Sequence, residues 1–142
     1  MDLGVSEDRE LRALLGAART IAVVGLSPNP ERDSNEIAAY LQEHGMRVIP
    51  VNPMVDEVLG QRSYPSLREI PSDIEVDIVD VFRRAEETPA IAREAVAIGA
   101  KALWLQEGIV NQEAARIAEE AGLDVIMGVC IRQTRRRVMG DI

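Results

Sequence analysis

The sequence predicts an α/β domain built on a parallel β-sheet, and three observations carry that expectation. Apolar runs suited to buried strands alternate with amphipathic helical stretches. One unit then occurs three times: "IAAYLQEHGMRVIPV", "AIAREAVAIGAKALWL" and "EAARIAEEAGLDVIM" each pass from helix through a glycine into an apolar strand. The joins are short, so helices must cross between parallel strands and cover both faces of the sheet. The expected result is a doubly wound, Rossmann-like sheet of about five strands in a single domain.

The elements follow in order. "SEDRELRALLGAAR" places Leu11, Leu14, Leu15 and Ala18 at helical spacing, with Ser6 as cap. "TIAVVGL" is a short apolar run bounded by turn residues, the pattern of a strand buried on both faces. Gly45, Gly99 and Gly122 sit where helices end in a left-handed residue. Thr88-Pro89 reads as a cap followed by proline at the first helical position. "EVDIVDVF" supplies the third strand, so that strands start near Ile21, Val48, Asp77, Ala102 and Asp124. Between the second and third lies "MVDEVLGQRSYPSLREIP", where Pro65 and Pro71 predict a short helix and turns in place of a full crossover helix. The chain divides into a leading helix (1–19), the sheet domain (20–131) and a basic C-terminal tail (132–142), with no linker between.

Bulk properties narrow the function. The 142 residues are nearly half apolar, enough for one domain with a core. Aromatics are few: Phe82, Trp104, Tyr40 and Tyr64. A net charge of -8 argues against a general nucleic-acid or anionic-membrane surface, since a polyanion is repelled; the basic "RQTRRRV" is a local exception. The single cysteine, Cys130, excludes an internal disulfide and fits a reducing compartment. No signal peptide or bilayer-length apolar run is found, so a soluble, cytoplasmic protein is expected.

The stretch "TIAVVGLSPNPERDSNEIAAYL" (20–41) reads as strand, tight loop and helix. In a doubly wound sheet ligands bind beyond the carboxyl ends of the strands, where the winding reverses. The helix starting near Ser34 directs free N–H groups and its positive dipole end at this loop, an arrangement suited to phosphate. Ser27 and Ser34 offer hydroxyls, Arg32 a positive charge, and Gly25 lets a ligand approach the backbone. Asp33 or Ser34 also caps the helix, with Glu36 completing a capping box. Nicotinamide dinucleotides are disfavoured twice. The loop lacks the three-glycine fingerprint, and the second strand ends in Asn52-Pro53 where an acid would bind the ribose hydroxyls. An amide there tolerates a ribose that itself carries phosphate.

Several motifs then fall in one order. "VVGLSPNPERDSNEIAAYLQEHGMRVIPVNP", "LGQRSYPSL", "DIVDVFRR" and "GAKALWLQEGIVN" resemble the small stand-alone CoA-binding proteins of bacteria and archaea. They also resemble the CoA-binding domain of succinyl-CoA synthetase and the ADP-forming acyl-CoA synthetases, over about Ile21 to Ile131. The resemblance implies a Rossmann-like fold and coenzyme A as ligand. It implies phosphate contacts at Gly25, Leu26, Ser27, Arg32 and Ser34, with Asn52 and Pro53 bordering the nucleotide. Val81, Phe82 and Arg83 would form the next wall, with Phe82 against the adenine or the pantetheine arm, and Gln106 would reach the pantetheine amides. Asp33 departs from the proline usual in the small family proteins, and "MGVCIRQ" departs from the usual "DRCIK" while keeping the cysteine. An acidic protein needs local cations to admit a polyanion, and Arg32, Arg62, Arg83 and Arg84 are available.

No catalytic constellation emerges. His44, the only histidine, sits in the last turn of a helix, where a cation suits the dipole. One cysteine and one histidine make a zinc site untenable, and the acidic residues form no pair for acid–base work. Cys130 lies at the ligand-bearing edge as a core thiol or as a group facing the CoA thiol. The expectation is a non-catalytic CoA or acyl-CoA binding protein, a sensor or carrier that acts through a protein partner or a second copy of itself. The alternatives are a CoA-binding subunit of an acyl-CoA ligase whose catalytic groups lie on another chain, and an NAD(P)-binding redox sensor.

Overall fold

Five apolar runs become the five strands of one parallel sheet. In the computed structural model, which describes residues 7–140, helix α1 (Asp8–Ala17) leads into β1 (Thr20–Val24), α2 (Asp33–Glu43) and β2 (Arg47–Val51). A hairpin of β3 (Glu57–Val58) and β4 (Gln61–Arg62), then a single 3-10 turn at Leu67–Glu69, lead to β5 (Ile78–Val81). A second 3-10 turn (Ala85–Glu87), α3 (Thr88–Ala97), β6 (Ala102–Leu105), α4 (Gln112–Glu120), β7 (Asp124–Met127) and α5 (Ile131–Met139) complete the order. The sheet runs β2-β1-β5-β6-β7, parallel throughout. Each of its strands begins within one residue of the expected position.

The side-chain alternation of each strand builds two cores. Ile21, Val23, Val48, Ile78, Trp104 and Ile126 face α1, α2 and α5. Ala22, Val24, Ile49, Val79, Val81, Leu103, Leu105 and Val125 face α3, α4 and the segment around Leu67 and Ile70. Each large apolar side chain buried in these layers stabilises the fold by roughly 1.5–3 kcal/mol. The order places the reversal of winding between β1 and β5, in register through Val24 and Val81.

The loops differ from expectation in three places. Beside the short helix and turns expected of this segment, the helix being the 3-10 turn at Leu67–Glu69, residues 57–62 form a hairpin. Its two-residue turn, Leu59-Gly60, takes positive φ at both positions (52° and 76°), as a type I′ turn requires. Leucine is a poor residue for that conformation, so the sequence carries little of the usual hairpin signal. Residues expected as a basic tail are mostly helical: Ile131, Thr134 and Val138 of α5 are buried, and α5 packs on α1. The arginines of "RQTRRRV" mask an amphipathic helix whose apolar face is needed to cover the sheet. Arg12 Nε donates to the Val138 carbonyl, and Arg137 pairs with Asp8, so α1 and α5 hold each other. Finally, α3 begins at Thr88 itself, whose hydroxyl donates to the Ala85 carbonyl of the preceding 3-10 turn. Ser6 lies outside the described residues, and Glu7 occupies the N-cap position of α1.

Candidate functional site

The strand ends at the reversal point define the site. Gly25, directly after β1, has φ +86°, and its N–H donates to the Val51 carbonyl at 2.9 Å. A Cβ here would stand 2.6 Å from the Phe82 carbonyl oxygen. Glycine is therefore required by the close approach of the β5 end, before any ligand is considered. Phe82 N–H donates to the Val24 carbonyl and prolongs the pairing of β1 with β5.

The loop between β1 and α2 is fixed by side chains from its own helix. Ser34 Oγ accepts from Ser27 N–H at 3.0 Å, and Asn35 Nδ2 donates to the Ser27 carbonyl at 2.8 Å. Ser27 Oγ accepts from Asn29 N–H. Both Ser34 and Asn35 are buried. The expected capping box does not form: Arg32 occupies the N-cap position without a side-chain cap, Asp33 is the first helical residue, and Glu36 lies 4.0 Å from Arg132. Ser34 is engaged by the loop rather than by the helix, and the N–H groups of Asp33 and Ser34, in the first turn, have no intrahelical acceptors.

Two adjoining cavities open beside this loop, with Asp33 and Phe82 in the walls of both. One, of ≈ 390 Å³, is lined by Gly25, Ser27, Glu31, Arg32, Asp33, Ser34 and Phe82. The other, of ≈ 380 Å³, extends over the ends of β5 and β6 and is lined by Phe82, Arg83, Arg84, Gln106, Ile109 and Cys130 among others. The structure thus gathers Gly25, Ser27, Arg32, Ser34, Phe82, Arg83 and Gln106 around one cleft. Leu26 and Val81 are fully buried behind it and line neither cavity.

Five expected contributors are already engaged. Asn52 lines neither cavity; its Nδ2 donates to the Leu26 carbonyl at 2.9 Å and its Oδ1 accepts from Met54 N–H at 2.8 Å. It braces the β1 loop against the β2 loop, with exposed Pro53 beside it. Arg83 and Arg84 both grip Glu87, at 2.7 and 3.0 Å, so their charge is partly neutralised locally. The hydrogen bond from Arg83, then that from Arg84, holds the Glu87 carboxyl below the usual carboxylate range. Gln106 is buried, and its Oε1 accepts from Ile131 N–H, anchoring the start of α5. Arg62 lies over the Tyr64 ring, 5.2 Å from its centroid. His44, at the end of α2, has Nδ1 2.7 Å from the Tyr40 carbonyl and its ring tilted against Tyr40, 4.1 Å between centroids. Trp104 is core, its Nε1 donating to the Val129 carbonyl.

Asp80 is the residue that sequence reading missed. It lies on β5 between Val23 and Trp104 of the neighbouring strands, one pleat below Phe82. It is 0 % exposed, and neither carboxyl oxygen has a hydrogen-bond partner among the described residues. Burial alone drives its pKa well above the ordinary value, which favours the neutral acid. The visible signal was an acid inside the apolar run "DIVDVF". Among the described residues no cluster of three His, Cys, Asp or Glu forms a metal site, and no helix is long and apolar enough to cross a membrane.

A parallel α/β sheet with a braced loop, a helix N-terminus and a cleft at the reversal of winding defines the class of small doubly wound ligand-binding domains. Within that class the chain belongs to the CoA binding domain family, whose pattern matches residues 19–134. An uncharacterized protein of Bacillus subtilis, YneT, is 44% identical over 123 residues, covering 87% of this chain and 90% of that one. A hypothetical protein from Pyrococcus horikoshii superposes with a TM-score of 0.91 at 40% identity, covering 95% of this chain and 94% of the other. The α subunit of an ADP-forming acetate–CoA ligase from Pyrococcus furiosus is 37% identical over 67 residues, 46% of this chain but only 15% of that subunit.

Proposed function

We propose that this chain binds coenzyme A or an acyl-CoA without performing chemistry of its own, and acts in the cytoplasm as a sensor or carrier. One observation carries the reading: a chain of the CoA binding domain family holds two contiguous cavities at the reversal point of its sheet, one beside a helix N-terminus and one over apolar strand ends. In this reading the phosphates lie against the backbone of Gly25, Leu26 and Ser27, the α2 N-terminus, Ser34 and Arg32. The 3′-phosphorylated ribose lies toward Asn52 and Pro53, where no carboxylate repels it. Val81 and Phe82 carry the adenine or the pantetheine arm, Arg83 adds charge, and Gln106 borders the pantetheine amides. When bound, coenzyme A supplies a thiol that carries acyl groups as thioesters. The chain's own residues hold and orient it, and a protein partner or a second copy reads the changed surface.

A second reading is favoured by the similarity to the acetate–CoA ligase α subunit. Here the chain presents CoA to catalytic groups on another polypeptide, and acyl transfer appears only when the two are mixed.

Calorimetry with CoA, dephospho-CoA and NADP tests the principal reading, alongside native mass spectrometry of the purified protein for retained CoA. CoA is expected to bind best, dephospho-CoA more weakly, and Arg83→Ala to weaken CoA. Tighter binding of NADP than of CoA would overturn the assignment.

A further inference from the structure

The second cavity has an apolar lip that the proposed CoA site leaves unused. Of the large hydrophobic side chains exposed among the described residues, Val110 (50% exposed) and Val129 (43%) sit beside it. Their chain neighbours Ile109 and Cys130 line the cavity wall. The two loops carrying them touch: Val110 Cγ2 stands 3.1 Å from where a Cβ on Gly128 would be, directly before Val129. One patch is thus built from the β6–α4 and β7–α5 connections.

Both loops are tied down at their roots. Ile109 N–H donates to the Gln106 carbonyl and Gly128 N–H to the Leu105 carbonyl, each at 2.9 Å. Trp104 Nε1 donates to the Val129 carbonyl at 2.9 Å from below. The valines are therefore held outward on rigid backbone, which lowers the ordering penalty for anything laid on them. Apolar side chains fixed at the mouth of a partly polar cavity offer an apolar ligand segment a preformed seat. The rim offers little to a second negative charge: exposed Glu107 lines the same cavity, and Arg83 and Arg84 are engaged by Glu87.

If the phosphates lie beside α2 and the arm crosses Phe82, the sulfur end of CoA emerges at this lip. We propose that Val110 and Val129 seat an uncharged saturated acyl chain, so that the protein takes acyl thioesters of CoA in preference to the free thiol. The inference rests on the CoA reading above and specifies its ligand. A methylene fully buried strengthens binding about fourfold, and on a half-exposed patch about twofold.

The test is calorimetric titration of the parent with CoA, acetyl-, butyryl-, octanoyl- and succinyl-CoA, repeated on Val110→Ser and Val129→Ser. Affinity is expected to rise about fourfold from acetyl- to butyryl-CoA and to continue rising to octanoyl-CoA. Both serine variants, at exposed positions, are expected to flatten that trend while binding free CoA as the parent does. Equal affinity for CoA and every thioester would overturn the acyl seat and leave CoA binding intact. Tighter binding of succinyl- than of butyryl-CoA would also overturn it, in favour of a charge-reading rim. If nothing binds, free CoA included, the CoA reading itself falls and the acyl seat with it.

Discussion

Nη2 of Arg83 lies 2.7 Å from Oε1 of Glu87, and Arg84 Nε lies 3.0 Å from the same residue's other oxygen. One carboxylate thus restrains two cations at the mouth of the cleft. In a protein with net charge -8, this decides how much positive field a polyanion meets.

Glu87→Gln should release both guanidinium groups toward the cleft. CoA affinity should rise about two- to fivefold at low ionic strength, the scale of one exposed ion pair, and the gain should shrink with added salt. Titration calorimetry at two salt concentrations checks this; unchanged affinity would place the arginines outside the site.

Gly25→Ala should destabilise the fold even without ligand. The new Cβ faces the Phe82 carbonyl at 2.6 Å, and φ +86° strains any other residue. A loss of about 2 kcal/mol or more is expected from the strained conformation and the clash together. Urea denaturation measures it.

Asp80 makes stability fall as the solution becomes more alkaline. Its folded pKa is raised, so its contribution is complete below the unfolded value near 4 and is lost as pH climbs toward the folded pKa. Over that interval the loss is about 1.4 kcal/mol per pH unit. Asp80→Asn keeps the shape and removes the ionisation. Denaturation curves between pH 5 and pH 8, a window of about three units, should show the variant gaining on the parent as pH rises.

Asp77 has the opposite sign. Burial acts to raise its pKa, but the N–H groups of Arg19 and Thr20, at 2.8 and 2.9 Å, and Lys101 at 3.2 Å outweigh it and hold the carboxyl below its ordinary value. Its stabilisation is present above the unfolded pKa near 4 and is lost as pH falls through the lower folded pKa. Asp77→Ala should cost about 1–2 kcal/mol at neutral pH by freeing two partly buried donors at the entry to β1. It should also remove part of the acid-induced loss, read as a shallower stability–pH profile below pH 5, roughly the top of the titration range.

Elements whose code is local were legible in the chain. The five strands, the helix-ending glycines, each at positive φ, and the position of the loop after β1 all follow from runs and spacings within about fifteen residues. So does the edge at which the winding reverses, because alternating strands and helices leave few topologies. Tertiary packing decided what individual polar side chains do. Ser34 is drawn from the cap by Ser27, Asn52 is used as a brace, Gln106 anchors α5, and Glu87 collects Arg83 and Arg84. The burial of α5 was likewise invisible, since an arginine-rich segment reads as solvated until a sheet needs covering. Apolar burial follows the periodicity of one segment, whereas a hydrogen-bond partner is chosen by where distant segments meet.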